Sequence, residues 1–200
     1  MNKIITDLYW YKMERIVSER LKNGKFICTR CGICCKNKGI ELSNSEIQEI
    51  ANFLDISVSE FKSKYVRFKK VNYTRKIINH TYKIKGLATI LSKKPDGNCV
   101  FLEFKGDKAV CKIYPARPIS CKLFPFTWEY NPSTFKLYLD FSPDAIGICP
   151  GINNQAGESW DSMKNEITKV AKSAIKQYKE IIQSKKYKIK QLDWLENGSI

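Results

Sequence analysis

Histidine is almost missing from this chain: a single one, His80, occurs in 200 residues. It lies in the polar run Asn79-His80-Thr81 and reads as a surface residue, so catalysis centred on a histidine base is not expected. Long apolar runs are missing as well. None approaches the roughly 18 to 20 residues that a spanning helix needs, and the first residues lack the basic start, apolar centre and small-residue cleavage site of a signal peptide. The expected address is therefore the cytoplasm. There is no glycine-rich cofactor loop, no internal repeat and no low-complexity linker. Arginine is scarce beside lysine, although 35 basic residues against 20 acidic ones give a net charge of +15. A nucleic-acid partner fits that charge, yet base-reading and bidentate phosphate contacts favour Arg. Solvated, lysine-rich faces are the plainer reading.

What the chain does have is cysteine. Four of its eight thiols fall within Cys28-Thr29-Arg30-Cys31-Gly32-Ile33-Cys34-Cys35, and the others are Cys99, Cys111, Cys121 and Cys149. In a reducing compartment such clustering points to metal ligands rather than disulfides. A straight helix would separate Cys28 from Cys35 by about 10 Å at 1.5 Å per residue. Thiolates on one zinc lie within about 4 Å of each other, given zinc–sulfur bonds near 2.3 Å. The stretch is therefore expected to be a loop wrapped around its metal, with Gly32 permitting the tight path. Adjacent side chains point apart, by about 100° on a helix or to opposite faces of a strand. Cys34 and Cys35 are accordingly not expected to serve one compact ion together, and the distant cysteines must complete the site.

Around this anchor the pattern predicts mixed elements. Ile4 to Leu21 has helical spacing and stops at Asn23-Gly24. Ser43 and Glu46 form a capping box for a helix to about Leu54, and Ser57 with Glu60 starts a second helix carrying Phe61 and Tyr65. Alternation from Val66 to Leu91 argues for strands. Two hairpins are expected, from Cys99–Phe104 to Ala109–Tyr114 and from Phe126–Tyr130 to Phe135–Leu139. Between them Pro115-Ala116-Arg117-Pro118-Ile119-Ser120-Cys121 is a stiff turn presenting Arg117 and Cys121. Glu158 to about Tyr187 is one long helix or two, and the residues beyond Lys188 read as a loose tail. The expected fold class is α+β: a small antiparallel sheet of hairpins with cysteine-rich metal-binding loops, flanked by N-terminal and long C-terminal helices. The expected division is an N-terminal helix (1–25), a cysteine-cluster domain (26–152) and a C-terminal helical extension (153–200), forming one compact unit.

Several motifs in order carry a resemblance over about residues 26–152. They are Cys28-x2-Cys31-x2-Cys34-Cys35, the Leu42-Ser43…Glu46-Ile47 helix, Cys99-Val100-Phe101-Leu102, the run from Cys111 through Ile113-Tyr114, Arg117-Pro118 and Cys121 to Phe124-Pro125-Phe126, and Cys149-Pro150-Gly151. Together they resemble the CxxCxxCC-type cysteine-cluster family of zinc- or iron-chelating domains. That family is often labelled iron–sulfur-containing and is similar in cysteine pattern to a region of bacterial flagellin lysine methylases. Lys122 stands where the family pattern has Arg, which weakens any anion-binding role there.

Two ligand assignments stay open. In the favoured one, Cys28, Cys31, Cys34 or Cys35 and a distal cysteine enclose a 4Fe-4S cluster, since the sequential C-x2-C-x2-C run resembles ferredoxins. In the other, eight thiolates make two closed zinc sites. Arg117 would hold its turn or offset thiolate charge beside the cofactor. The function expected first is a cytosolic metal protein for electron transfer, sensing or metal handling, with a protein redox partner or substrate. The alternatives are a zinc-stapled nucleic-acid binder and an enzyme related to the lysine methylases.

Overall fold

Glu14–Val17 form strand β1, followed by a short helix α1 (Glu19–Lys22), strand β2 (Lys25–Phe26) and helix α2 (Ile33–Asn37). Helices α3 (Asn44–Phe53) and α4 (Val58–Tyr65) lead into the long hairpin β3 (Val66–Ile77) and β4 (His80–Leu91). A second hairpin, β5 (Leu102–Lys105) and β6 (Lys108–Cys111), precedes helix α5 (Ile119–Leu123) and a third hairpin, β7 (Phe126–Asn131) and β8 (Lys136–Phe141). Strand β9 (Glu158–Ser159), the long helix α6 (Trp160–Gln183) and strand β10 (Tyr187–Gln191) complete the order. The structure is a computed structural model and describes residues 13–37, 39–77, 80–131, 134–183 and 187–191. The fold is α+β with small sheets.

Local chemistry explains most of these elements. At α3 the Ser43 hydroxyl accepts from the Glu46 N–H at 3.2 Å while the Glu46 carboxylate accepts from the Ser43 N–H at 2.9 Å, a reciprocal capping box. Ser57 caps α4 by accepting from the Glu60 N–H at 3.1 Å. Strand β8 alternates, burying Leu137, Leu139 and Phe141 and exposing Tyr138. Helix α6 lays Trp160, Met163, Ile167, Ala171 and Ala174 along one buried stripe.

Two apolar cores result. The first packs sheet β1-β8-β7 against α6, with Leu137, Leu139, Phe141, Trp160 and Ile167 at its centre. The second gathers Ile47, Ile50 and Ala51 of α3, Phe61 of α4, and Phe101 and Ile113 from the segments around the second hairpin, with Cys99, Cys111 and Cys121 packed at its margin.

Three expectations change. The single helix expected over Ile4–Leu21 is replaced in its described part, where only Glu19–Leu21 is helical, in α1: Glu14–Val17 is a strand lying parallel to β8, with Glu14 opposite Lys136 and Val17 opposite Leu139. Met1 to Lys12 lie outside the described residues. The β-branched Ile16-Val17 pair suits a sheet edge over a ready apolar core, and this tertiary pairing overrides the helical spacing. Sheet β1-β8-β7 is therefore mixed rather than antiparallel throughout. The tail expected after Lys188 begins instead with β10, antiparallel to β4 from Tyr187 opposite Gly86 to Gln191 opposite Tyr82.

Candidate metal centre

The cysteine run follows β2 without regular secondary structure and turns into α2 at Ile33, so its first half is the expected loop and its second half is helical. Two left-handed residues, Arg30 at φ 56° and Gly32 at φ 77°, reverse the path between Cys28 and Cys34. Gly32 is needed twice over, because a Cβ there would lie 3.0 Å from the Ala109 Cβ.

Backbone hydrogen bonds stitch this run to the distal cysteine segments. The Ile27 N–H donates to the Gly151 carbonyl at 3.2 Å, two residues past Cys149, and a Cβ on Gly151 would sit 2.1 Å from the Ile27 oxygen. The Ala109 N–H donates to the Arg30 carbonyl at 2.8 Å, which fixes β6 and its last residue Cys111. The Cys99 N–H donates to the Cys35 carbonyl at 2.9 Å. Cys121 lies on α5. There the Ile119 N–H donates to the Glu46 carboxylate at 2.8 Å, and Gln177 of α6 donates to the same carboxylate.

All eight cysteines line one cavity of about 580 Å³. Its walls come from both cores: Ile40, Leu91 and Ile113 on one side, Leu123, Phe126 and Ile167 on the other. All eight are described, and none is in a disulfide. The adjacent pair departs from expectation, for the Cys34 and Cys35 sulfurs approach to 3.9 Å rather than diverging. Among the described residues no three Cys, His, Asp or Glu side chains converge on a single-ion position.

The thiols feel one another's charge. The Cys35 thiol is pushed far up, first by its hydrogen bond with Cys34, then by burial and by repulsion from Cys34, Cys99 and Cys121. Burial pushes up the Cys99 and Cys111 thiols as well; Cys111 also senses Cys99 and Cys34, while the Arg117 charge pulls it down. Burial raises Cys149, and its neighbours are Cys31 and Cys28. The charges felt at Cys35 come from Cys34, Cys99 and Cys121, those at Cys111 from Cys99 and Cys34, and those at Cys149 from Cys31 and Cys28. Gathered thiols of this kind resist ionising together unless a cation joins them.

Arg117 lines the cavity, as its position in the stiff turn suggests. Its Nε donates to the Tyr114 carbonyl at 3.1 Å and its guanidinium stacks 3.7 Å from the Tyr114 ring centre. His80 belongs to another part of the fold, where it opens β4 opposite Ile77.

Two contributors were not legible as such in the sequence. Glu46 reads only as a capping residue, yet it also anchors the helix that carries Cys121, across 73 residues. Ser120, beside Cys121, lines the cavity with a buried hydroxyl that has no hydrogen-bond partner among the described residues. An unmet buried donor in a thiol-lined space fits an acceptor-rich occupant.

Fold and cavity together define a class: a small α+β protein whose loops gather thiols from across the chain around one space. The chain belongs to the CxxCxxCC family, described as "Putative zinc- or iron-chelating domain", whose pattern matches residues 27–150. It is also similar, at 29% identity over 142 residues, to the uncharacterised protein MJ0661 of Methanocaldococcus jannaschii. That match covers 70% of this chain and 66% of the relative, less than two thirds of its length. No solved structure matches the chain. Among the described residues no helix is long and apolar enough to cross a membrane.

Proposed function

We propose that this chain is a cytoplasmic metal protein that holds an iron–sulfur cluster, of the 4Fe-4S type, through its cavity cysteines and serves electron transfer or redox sensing. The observation that carries this reading is the lining of a single cavity of about 580 Å³ by all eight cysteines. A mononuclear four-thiolate zinc site is closed, with its sulfurs nearly touching and no space between them. Thiols standing around a space, with no three on one ion position among the described residues, suit a bulkier inorganic core. The Ser120 hydroxyl supplies a donor for its sulfides.

When bound, such a cluster supplies one-electron chemistry. The chain's own residues do the rest. Cys28, Cys31 and Cys149 form one ligand group, and four of Cys34, Cys35, Cys99, Cys111 and Cys121 can be drawn from the other. Arg117 offsets thiolate charge at Cys111. Apolar walls from both cores keep water back and raise the weight of every charge inside.

One observation favours zinc as a second reading: the 3.9 Å between the Cys34 and Cys35 sulfurs suits two ligands on one small ion. Anaerobic purification with elemental analysis and a visible spectrum separates the two. Iron with acid-labile sulfide and a brown colour supports the cluster. A colourless protein with about two zinc per chain, as closed four-thiolate sites require, overturns it.

A further inference from the structure

We propose that one face of the β3-β4-β10 sheet binds single-stranded nucleic acid. The three strands hold 12, 12 and 5 residues and carry nine Lys or Arg, five in β3 and two each in β4 and β10, with no Asp or Glu among them. The net charge of the whole chain is +15. A small part of the molecule thus concentrates much of its positive charge, and of the nine only Arg67, Lys69 and Arg75 hold the alternate register positions, so six share the positions of Phe68.

The register sharpens this concentration. Lys85 is paired directly with Lys188, and Lys83 directly with Lys190. On the other side of β4 these two lysines face Asn72 and Thr74. Like charges directly opposite each other across a ladder are destabilising, so the pairing works against itself in the absence of a counter-charge. The alternate positions of the same register put Tyr73, Ile84 and Ile189 in one row.

Edge protection does not account for the lysines. Lysine on an edge strand blocks unwanted pairing, but Lys83 and Lys85 stand on β4, the central strand of the order β10-β4-β3. The same face exposes Phe68, at 59% of its surface, and Leu87, at 43%, with Lys70 paired to Leu87. An exposed aromatic ring on a lysine-bearing sheet is the arrangement on which unpaired bases stack while the cations track the phosphates. Three strands side by side are wider than the two-stranded ribbon that a major groove admits, which favours the single-stranded form. The cysteines take no part, so this inference stands apart from the metal assignment.

The test uses the full metal-loaded chain and two fluorescein-labelled oligonucleotides of about 15 bases, oligouridylate and oligodeoxythymidylate, titrated by anisotropy over a salt series. Their ratio distinguishes RNA from DNA as the source, and vesicles containing phosphatidylserine form a third arm. Binding is expected to weaken steeply with salt. The double variant Lys83→Gln/Lys85→Gln should lower the slope of log affinity against log salt by about 1.4, at about 0.7 for each phosphate no longer neutralised. Phe68→Ala should weaken binding about five- to a hundredfold and leave that slope unchanged. A charge-matched control, Lys62→Gln/Lys169→Gln on exposed helix positions, should leave affinity within about twofold. Circular dichroism and metal content confirm that each variant folds. Absence of binding to both oligonucleotides at low salt, an equal effect of the control pair, a slope unmoved by the sheet variant, or capture by vesicles alone would each overturn the proposal.

Discussion

The two cores solve the same problem by different means. The core between β8 and α6 is built where a regular strand alternation meets a regular helical stripe: Leu137, Phe141 and Ala171 are each fully buried, and its edge at Leu123, Phe126 and Ile167 faces the cavity. The core around α3 and α4 is equally apolar at Ile50 and Phe61 but opens at its margin onto thiols. There the walls are short segments, held by single backbone bonds such as Cys99 to Cys35 and Ala109 to Arg30. The first core needs nothing added. The second ends in partly buried thiols that repel one another once ionised, so on the proposed reading its integrity is tied to the cation that joins them.

The largest expected effect tests that dependence. Stripping metal with a chelator under reducing, anaerobic conditions should abolish amide-exchange protection at Cys99 and Ala109, while Leu137 and Leu139 of β8 stay protected. Equal loss in both regions would mean that the cores are one cooperative unit and would dissolve the comparison. Phe141→Ala reverses the experiment. Emptying that fully buried site should cost about 3–5 kcal/mol in denaturant unfolding, yet leave the metal-to-protein ratio of the purified, folded protein unchanged.

Glu46→Ala acts at the junction. It leaves the Ser43 and Ile119 N–H groups without their carboxylate and should cost about 1–3 kcal/mol. Burial, partly offset by hydrogen bonds from Ser43 and Ile119, raises the Glu46 carboxyl above its ordinary value. Its protonated form therefore stabilises the fold fully below the unfolded value near 4.5, and that contribution fades as pH rises through the raised folded value. Glu46→Gln should flatten this part of the stability-against-pH curve; a wild-type curve already flat above pH 4.5 would refute the assignment. The smallest change is Ser57→Ala, which removes the α4 cap. About 1 kcal/mol is expected, with no effect on metal content.

What the sequence reveals and what it hides follow the distance over which each residue acts. The caps at Ser43 and Ser57, the hairpin turns and the α6 stripe are local, and each is readable within a few residues. The strand at Glu14–Val17 is not, because its partner Lys136–Leu139 lies far along the chain and supplies the reason for the extended backbone. The same holds for β10, whose register comes from β4. At the metal centre, spacing was enough to nominate Cys28 to Cys35 and the four distal cysteines. The approach of Cys34 to Cys35 was hidden, since residue spacing does not give the positions of two neighbouring sulfurs. The second role of Glu46 was hidden for the same reason as β1: its partner at Ile119 is remote.

The bond from Ile27 to Gly151 bears on when the centre can exist at all. It ties the threshold of the first cysteine to a glycine that leaves the ribosome only after every thiol has emerged. Until that moment a growing chain presents its cysteines on unassembled loops, open to oxidation and to whatever soft metal is at hand. On the proposed reading, the cavity can close around a metal only once Gly151 has emerged, so assembly of the centre follows the synthesis of all eight cysteines.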